Sequence, residues 1–283
     1  MKTLIFYFSG TGNSLFIAKR LKENLENSEL IPIVKFLSKK NREIESCTLI
    51  LVFPVHALTI PLPVRSFLKK MNFKKVKYFA CVATRLGTYF NDFKRIERYT
   101  YPKKVDSQFI INMGDNDIKK KNYRKPSKDK LKELEDIALK ELSQAIEIIQ
   151  NKKIYKPKDI HFLEPLPYGD YRDKIAWWFI PKLMTFSKII GGVNYFYTNS
   201  KCNNCGICSI ICTSGKISMK DKIPVWDKNI LCYMCYACVN FCPKEAIDIK
   251  SIIWVKSYSH ENERYSHPYT KVSDIQNQKC NCK

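Results

Sequence analysis

Eight cysteines in two equally spaced runs are the side chains of this chain best suited to chemistry. Both runs follow the spacing C-x2-C-x2-C-x3-C, and the second lies 30 residues after the first. Thiolates at this spacing hold iron in [4Fe–4S] clusters, and the fourth cysteine of each run ligates the cluster of the other run. The runs therefore predict two clusters, one held by Cys202, Cys205, Cys208 and Cys242, and the other by Cys232, Cys235, Cys238 and Cys212.

The repeat continues beyond the cysteines. Ile217 precedes Ile247 by the same 30 residues, and Met219 precedes Ile249. We expect these apolar side chains to pack around the clusters and to keep water away from them.

Zinc is the alternative metal, but zinc sites combine pairs of C-x2-C rather than two runs of four. Cys242 is followed by Pro243, which completes the iron–sulfur pattern, whereas Thr213 follows Cys212 in the first run. This difference is expected to alter the turn and the hydrogen bonding near Cys212 but to remove no ligand. The region resembles bacterial-type two-cluster ferredoxins.

A second candidate site lies near the N-terminus, where a short apolar run is followed by a loop rich in Ser, Thr and Gly. Its hydroxyl groups can donate to phosphate oxygens, and the N-terminus of the following helix favours negative charge. The loop lacks both the dinucleotide fingerprint and the Gly-Lys-Ser/Thr ending of a P-loop. A plain strand-to-helix connection is the alternative. The residues predicted to bind the phosphate of FMN are Ser9, Gly10, Thr11, Gly12, Asn13 and Ser14.

Alternating strands and helices must position these residues. Strands are predicted at residues 4–8, 30–34, 48–55, 76–84 and 108–113, and helices at 14–25, 63–70, 89–99 and 127–150, with Ser127 as a cap. The alternation predicts an α/β fold with a flavodoxin-like, doubly wound, parallel five-stranded sheet.

In such a sheet the flavin ring lies beside the loops that follow strands three and four. His56 can stabilise negative charge there or point only to solvent, and Arg85 can raise the flavin potential. Tyr89 and Phe90 can stack on the ring, although burial in the core is equally expected for one of them. The predicted ring-binding residues are Pro54, Val55, His56, Ala57, Thr84, Arg85, Leu86, Gly87, Tyr89 and Phe90.

Composition shifts divide the chain into four segments. These are an FMN-binding domain at 1–152, a linker at 153–200, a small α+β ferredoxin-like domain with two clusters at 201–250, and an extension at 251–283. The linker contains an amphipathic helix at 171–190, which we expect between the domains; membrane contact is the alternative.

The net charge of +22 over 283 residues indicates an acidic partner, although a lysine-rich surface without a partner explains it equally well. Twelve cysteines without a secretory signal predict a cytoplasmic location. The longest apolar stretch, residues 175–193, contains Pro181, Lys182 and Lys188 and is not expected to span a membrane.

The two sites in one chain resemble the EFR-type flavodoxin–ferredoxin fusion family. The resemblance is carried by the Ser-Gly-Thr-Gly-Asn-Ser loop, Pro224-Val225-Trp226, Cys242-Pro243 and the tail sequence Arg264-Tyr265-Ser266-His267-Pro268. It implies FMN, two [4Fe–4S] clusters and a redox role, without naming a substrate.

FMN exchanges two electrons in single steps, whereas each cluster carries one. We therefore predict an electron-transfer iron–sulfur flavoprotein that connects one- and two-electron partners, one of them an acidic redox protein. The alternative is an FMN-dependent reductase of a small molecule, with His56 or Tyr89 as proton donor. A third hypothesis is a redox sensor or a nucleic-acid binder. Its only support is the net charge together with Cys280 and Cys282 in the tail, so no nucleic-acid partner is expected.

Overall fold

Five parallel strands form the centre of the N-terminal half in this computed structural model, which describes residues 1–44, 47–56, 58–87, 90, 92–157, 195–251 and 256–279. The strands are β1 (Thr3–Tyr7), β2 (Ser28–Pro32), β3 (Cys47–Pro54), β4 (Val76–Arg85) and β5 (Ser107–Asn112). Their order is β2-β1-β3-β4-β5, and every neighbouring pair is parallel. This order is the flavodoxin-like one, and it confirms the predicted fold class.

Helices cover both faces of the sheet: α1 (Asn13–Asn24), α2 (Ile33–Leu37), α3 (Leu62–Lys70), α4 (Phe93–Thr100) and α5 (Lys128–Gln150). Residues 49–53 of strand β3 are all apolar because alternate side chains enter two different cores. Leu49 and Leu51 pack on the side of α3, while Ile50 and Val52 pack on the side of α1 and α5.

Two predicted boundaries were wrong. Strand β2 stops at Pro32, the last residue paired with β1, and the buried Ile33 begins α2. The apolar character of residues 33–34 therefore reflects burial of a helix. Helix α4 begins at Phe93 rather than at residue 89. The predicted cap at Ser127 is confirmed, because its Oγ accepts a hydrogen bond from the Lys130 N–H at 3.1 Å.

The cysteine-containing half is built from two short antiparallel pairs, as an internal repeat requires. Strand β6 (Phe196–Thr198) pairs with β9 (Ile247–Ile249), and β7 (Ile217–Lys220) pairs with β8 (Ile223–Trp226). One-turn helices, α6 (Ile207–Ile210) and α7 (Ala237–Asn240), lie 30 residues apart. Left-handed backbone recurs at the same interval, at Asn204 and Met234, Gly206 and Tyr236, and Gly215 and Glu245.

The C-terminal segment contains a last short helix, α8 (Val272–Gln276). The predicted linker helix at 171–190, Cys280 and Cys282 lie outside the described residues. Within the described ranges, no helix has both the length and the apolar character needed to cross a bilayer.

Candidate functional site

An open cavity with a volume of about 190 Å³ lies at the carboxyl edge of the sheet. The loop after β1 and the loops after β3 and β4 meet there, as the fold predicts. The predicted residues that line it are Ser9, Gly10, Thr11, Asn13, Ser14, Pro54, Val55, His56, Thr84, Arg85 and Leu86.

Other predicted residues lie elsewhere. Phe90 is 1% exposed and packs against Phe53 and Phe93, with ring centroids 5.8 and 5.0 Å away, so its ring belongs to the hydrophobic core. Gly12 and Gly87 are not among the residues that line the cavity. Ala57 and Tyr89 lie outside the described residues.

The loop after β1 presents the positive end of α1. The first hydrogen bond of this helix runs from the Phe16 N–H to the Gly12 carbonyl at 2.8 Å, so the preceding amides have no acceptor within the helix. The Ser14 Oγ lies 2.7 Å from the Thr84 Oγ1 and joins the loop to the end of β4. The Asn13 Nδ2 donates to the Gly114 carbonyl after β5 at 2.8 Å. Contacts with the ends of β4 and β5 thus hold the loop after β1 in place at the positive end of α1, where negative charge is favoured.

The glycines of this loop make room for other parts of the chain. A Cβ on Gly10 would collide with the carbonyl oxygen of Cys235, from the second cysteine run. A Cβ on Gly12, whose φ is +106°, would collide with Thr270 and His267 from the C-terminal segment. Gly10 thus lines the cavity and also packs against Cys235, whereas Gly12, which was predicted at the ligand as well, packs against the C-terminal segment.

The C-terminal segment holds the same loop by hydrogen bonds. The Gln278 Oε1 accepts from the Ser9 N–H at 2.9 Å, and its Nε2 donates to the Ser9 carbonyl at 3.0 Å. The Tyr265 Oη donates to the Asn13 Oδ1 at 2.9 Å. Gln278 and Tyr265 are both fully buried. The tail sequence was noticed only through a family resemblance, and no local pattern predicted this contact.

The loop after β5 was missed as part of the cavity, to which it contributes Gly114, Asp115, Asn116, Asp117, Lys119 and Lys120. The available signal was a polar run directly after a buried strand, at the same sheet edge. The Lys119 Nζ lies 5.6 Å from the Tyr236 ring centroid and 3.7 Å from the Asp117 Oδ1. Burial lowers the pKa of Lys119, but Tyr236 and Asp117 more than offset this, so its pKa is raised and the side chain is charged.

The first set of cysteines surrounds a smaller cavity. Cys202, Cys205 and Cys208 of the first run line it together with Cys242 of the second run. Met219 and Ile247 also line it. Burial raises the pKa of Cys208 to about 11, and the nearby Cys242, Cys205 and Cys202 contribute to the increase. The structure therefore brings together the four cysteines predicted for one cluster.

The second set lies between the first set and the large cavity. Burial raises the pKa of Cys238 well above its usual value, and Cys235, Cys212, Cys232 and Cys208 raise it further. Cys235 also lines the large cavity, next to Met234 and Tyr236. In each set, three cysteines of one run thus lie near the fourth cysteine of the other run, as the spacing predicts.

The donor set fits a multi-iron cluster in each cysteine set. Backbone N–H groups point at the sulfurs, from Met234 to the Cys232 Sγ at 3.4 Å and from Ala246 to the Cys242 Sγ at 3.2 Å. Among the described residues, no group of three or more His, Cys, Asp or Glu side chains is placed to hold a metal ion.

The turn after Cys212 differs less than expected from the turn after Cys242. The Gly215 N–H donates to the Cys212 carbonyl at 2.9 Å, and the Glu245 N–H donates to the Cys242 carbonyl at 3.0 Å. The expected change in the backbone turn was wrong, because left-handed residues at the end of both turns give the same backbone bond without a proline. The expected change in hydrogen bonding is confirmed: the Ala246 N–H donates to the Cys242 Sγ at 3.2 Å, whereas the Lys216 N–H, at the same position in the first run, donates to the Ser214 Oγ at 3.4 Å.

Comparisons with known proteins give the chain no family. No family model matches it, and no curated protein matches it. One solved structure, described as a flavodoxin from the domain Archaea, is similar over 52% of this chain and 99% of that chain, with 14% identity and a TM-score of 0.30. The flavodoxin-like assignment rests on the strand order itself.

Proposed function

We propose that the chain is an electron-transfer iron–sulfur flavoprotein with FMN in the large cavity and one [4Fe–4S] cluster in each cysteine set. The observation that carries the proposal is the position of Cys235, which belongs to the second set and also lines the cavity beside Gly10. FMN exchanges two electrons in single steps and each cluster exchanges one, so their combination connects one- and two-electron partners.

The residues of the cavity divide into a phosphate end and a charged wall. The helix end at Asn13 and Ser14, with the hydroxyl of Thr11, would hold the phosphate. Arg85, Lys119 and Lys120 would favour negative charge in the cavity, because all three line it and they outnumber Asp115 and Asp117, which line it too. This preference for negative charge supports a cavity whose cofactor accepts electrons.

The cysteine sets supply thiolates in apolar surroundings. Ile217, Val239 and Ile249 pack around them and are at most 4% exposed. Burial disfavours the free thiolate, as the raised pKa of Cys235, about 12, indicates. Binding of iron fixes the thiolate form, and the exclusion of water protects the cluster.

A reductase acting on a small molecule is the second candidate. It is favoured by the open mouth of the cavity and by His56, which lines the cavity and is a proton donor when protonated. The direct junction between Cys235 and the cavity supports the carrier.

Anaerobic purification with iron, zinc and flavin analysis tests the proposal. We expect one FMN and about eight irons per chain, and an anaerobic redox titration followed by optical and EPR spectra should detect both kinds of centre. Zinc without iron would refute the cluster assignment. Steady-state turnover of a small acceptor without any protein partner would favour the reductase.

A further inference from the structure

We propose that the surface around the first cysteine set is the docking site for an acidic redox protein. This inference rests on the proposed function. The surface is called here the cluster rim, and it consists of Lys201, Cys205, Lys220, Lys222, Ile223 and Lys244, all of which are exposed.

The two cysteine sets differ in their access to solvent. Cys205 of the first set is exposed, whereas Cys235 of the second set packs against Gly10 under the loop after β1. Cys208 of the first set and Cys212, Cys232 and Cys238 of the second set pack in the same hydrophobic cluster, so the sets are adjacent. The order from the outside inward is therefore cluster rim, first set, second set and large cavity.

The charges of the cluster rim select the partner. Lys201 precedes a ligand of the first set, Lys220 and Lys222 flank the turn between β7 and β8, and Lys244 follows Pro243. Met219 and Pro224 of the same hairpin line the cavity of the first set. The exposed acidic residues among these positions are Asp221 and Glu245, so the rim has an excess of positive charge.

An apolar contact lies within this ring of charge. Ile223, at the start of β8, is 53% exposed. An apolar centre with a charged edge is the usual composition of a transient protein interface. Positive charge around it steers a negatively charged partner into the contact and raises the association rate.

The electron count is simple. An acidic ferredoxin-type donor loses one electron at each encounter, and the chain gains that electron through the first set. Two encounters, with two protons from solvent, balance the two-electron reduction of one FMN. A one-electron partner is therefore sufficient, and it needs no access to the large cavity.

The test uses the cofactor-loaded protein and a reduced, acidic two-cluster ferredoxin as the probe. The double variant Lys220→Glu/Lys222→Glu reverses the rim charge, and Lys132→Glu/Lys140→Glu makes the same change on exposed residues of α5. In anaerobic stopped-flow experiments at low salt, we expect the rim variant to be reduced at least about tenfold more slowly and the α5 variant less than about twofold. The neutral variant Lys220→Gln/Lys222→Gln should fall between the rim variant and wild type.

Iron and flavin contents that match wild type show that the variants are folded. Equal slowing of the rim and α5 variants would overturn the proposal, because a general charge field would then explain the rate. The proposal would also be overturned if neither variant were reduced more slowly than wild type. A rim variant that is reduced at the wild-type rate and loses only its affinity for duplex DNA would overturn it too. Absence of iron from the wild-type protein would instead refute the proposed function.

Discussion

The two halves of the molecule are stabilised in different ways. The sheet half has a buried apolar core on each face of five strands. The cysteine half has strands of three or four residues and helices of four, and its core includes the cysteines themselves. The first half can be stable through apolar burial alone, whereas the second, under the proposed function, depends on the clusters that its cysteines would bind.

The large cavity is formed by residues from both halves of the molecule. The loop after β1 belongs to the sheet half, yet Cys235 and Gln278 from the rest of the chain contact it. The sheet can thus form without a cofactor while the binding geometry of its loop depends on the other segments.

Loss of iron is the largest change that distinguishes the two halves. In Cys238→Ala we expect the amides of residues 195–251 to lose protection from hydrogen exchange, while those of β1, β3 and β4 keep it. Mass spectrometry of exchanged peptides measures this. The matched control is Cys81→Ala, because Cys81 is buried in β4 away from both cysteine sets and its variant should retain iron. Full protection of both halves in Cys238→Ala would contradict the comparison.

The C-terminal segment connects the halves, and Gln278 is its main contact with the loop. Gln278→Leu leaves the buried N–H and carbonyl of Ser9 without partners, which costs about 1–3 kcal/mol for each group. We expect FMN to bind at least about tenfold more weakly, since 1.4 kcal/mol corresponds to about a factor of ten. Titration of deflavinated protein, followed by flavin fluorescence, measures the change.

The variant Gln278→Glu separates the two hydrogen bonds that Gln278 makes with Ser9. Its carboxylate can still accept from the Ser9 N–H but can no longer donate to the Ser9 carbonyl. Its FMN affinity should lie between those of wild type and Gln278→Leu. Equal FMN affinity in all three proteins would show that the segment covers the loop without positioning it.

The junction at Gly10 should give a smaller effect. In Gly10→Ala the new Cβ meets the carbonyl of Cys235, and overpacking of this kind costs about 1–3 kcal/mol. The expected result is a lower unfolding temperature and weaker FMN binding. Gly215→Asn is the control, because no atom would lie within 4 Å of a Cβ there and Asn tolerates its φ of +73°. A larger loss in the control would disprove the role of the junction.

The sequence carried the local features of both halves. Unbroken apolar runs predicted the buried parallel strands, and the cysteine spacing predicted which thiols would be neighbours. It did not predict the contacts of Ser9 with Gln278, which are 269 residues apart, because no periodicity records a pairing over that distance. Lys119 was missed for a related reason: its position in the cavity depends on Tyr236, which the fold brings to it.

The smallest effect concerns His267, which stacks on Phe16 with ring centroids 4.4 Å apart and is 3% exposed. Burial lowers the pKa of His267 from 6.5 to about 4. The unfolded chain therefore binds more protons than the folded chain between these values, so stability is fully present above pH 6.5 and falls as the pH drops toward 4. At pH 5.5 the expected loss is about 1.4 kcal/mol.

His267→Phe keeps a ring on Phe16 and removes the titration. Anaerobic urea unfolding at pH 7.5 and 5.5, followed by flavin fluorescence, should show wild type losing about 1.4 kcal/mol more than the variant between the two values. Other titrating groups act on both proteins and cancel in this difference. Identical losses of unfolding free energy in the two proteins would mean that protonation of His267 does not destabilise the folded protein. In that case the C-terminal segment would hold the loop through Gln278 and Tyr265, while the ring of His267 would be accessible to solvent.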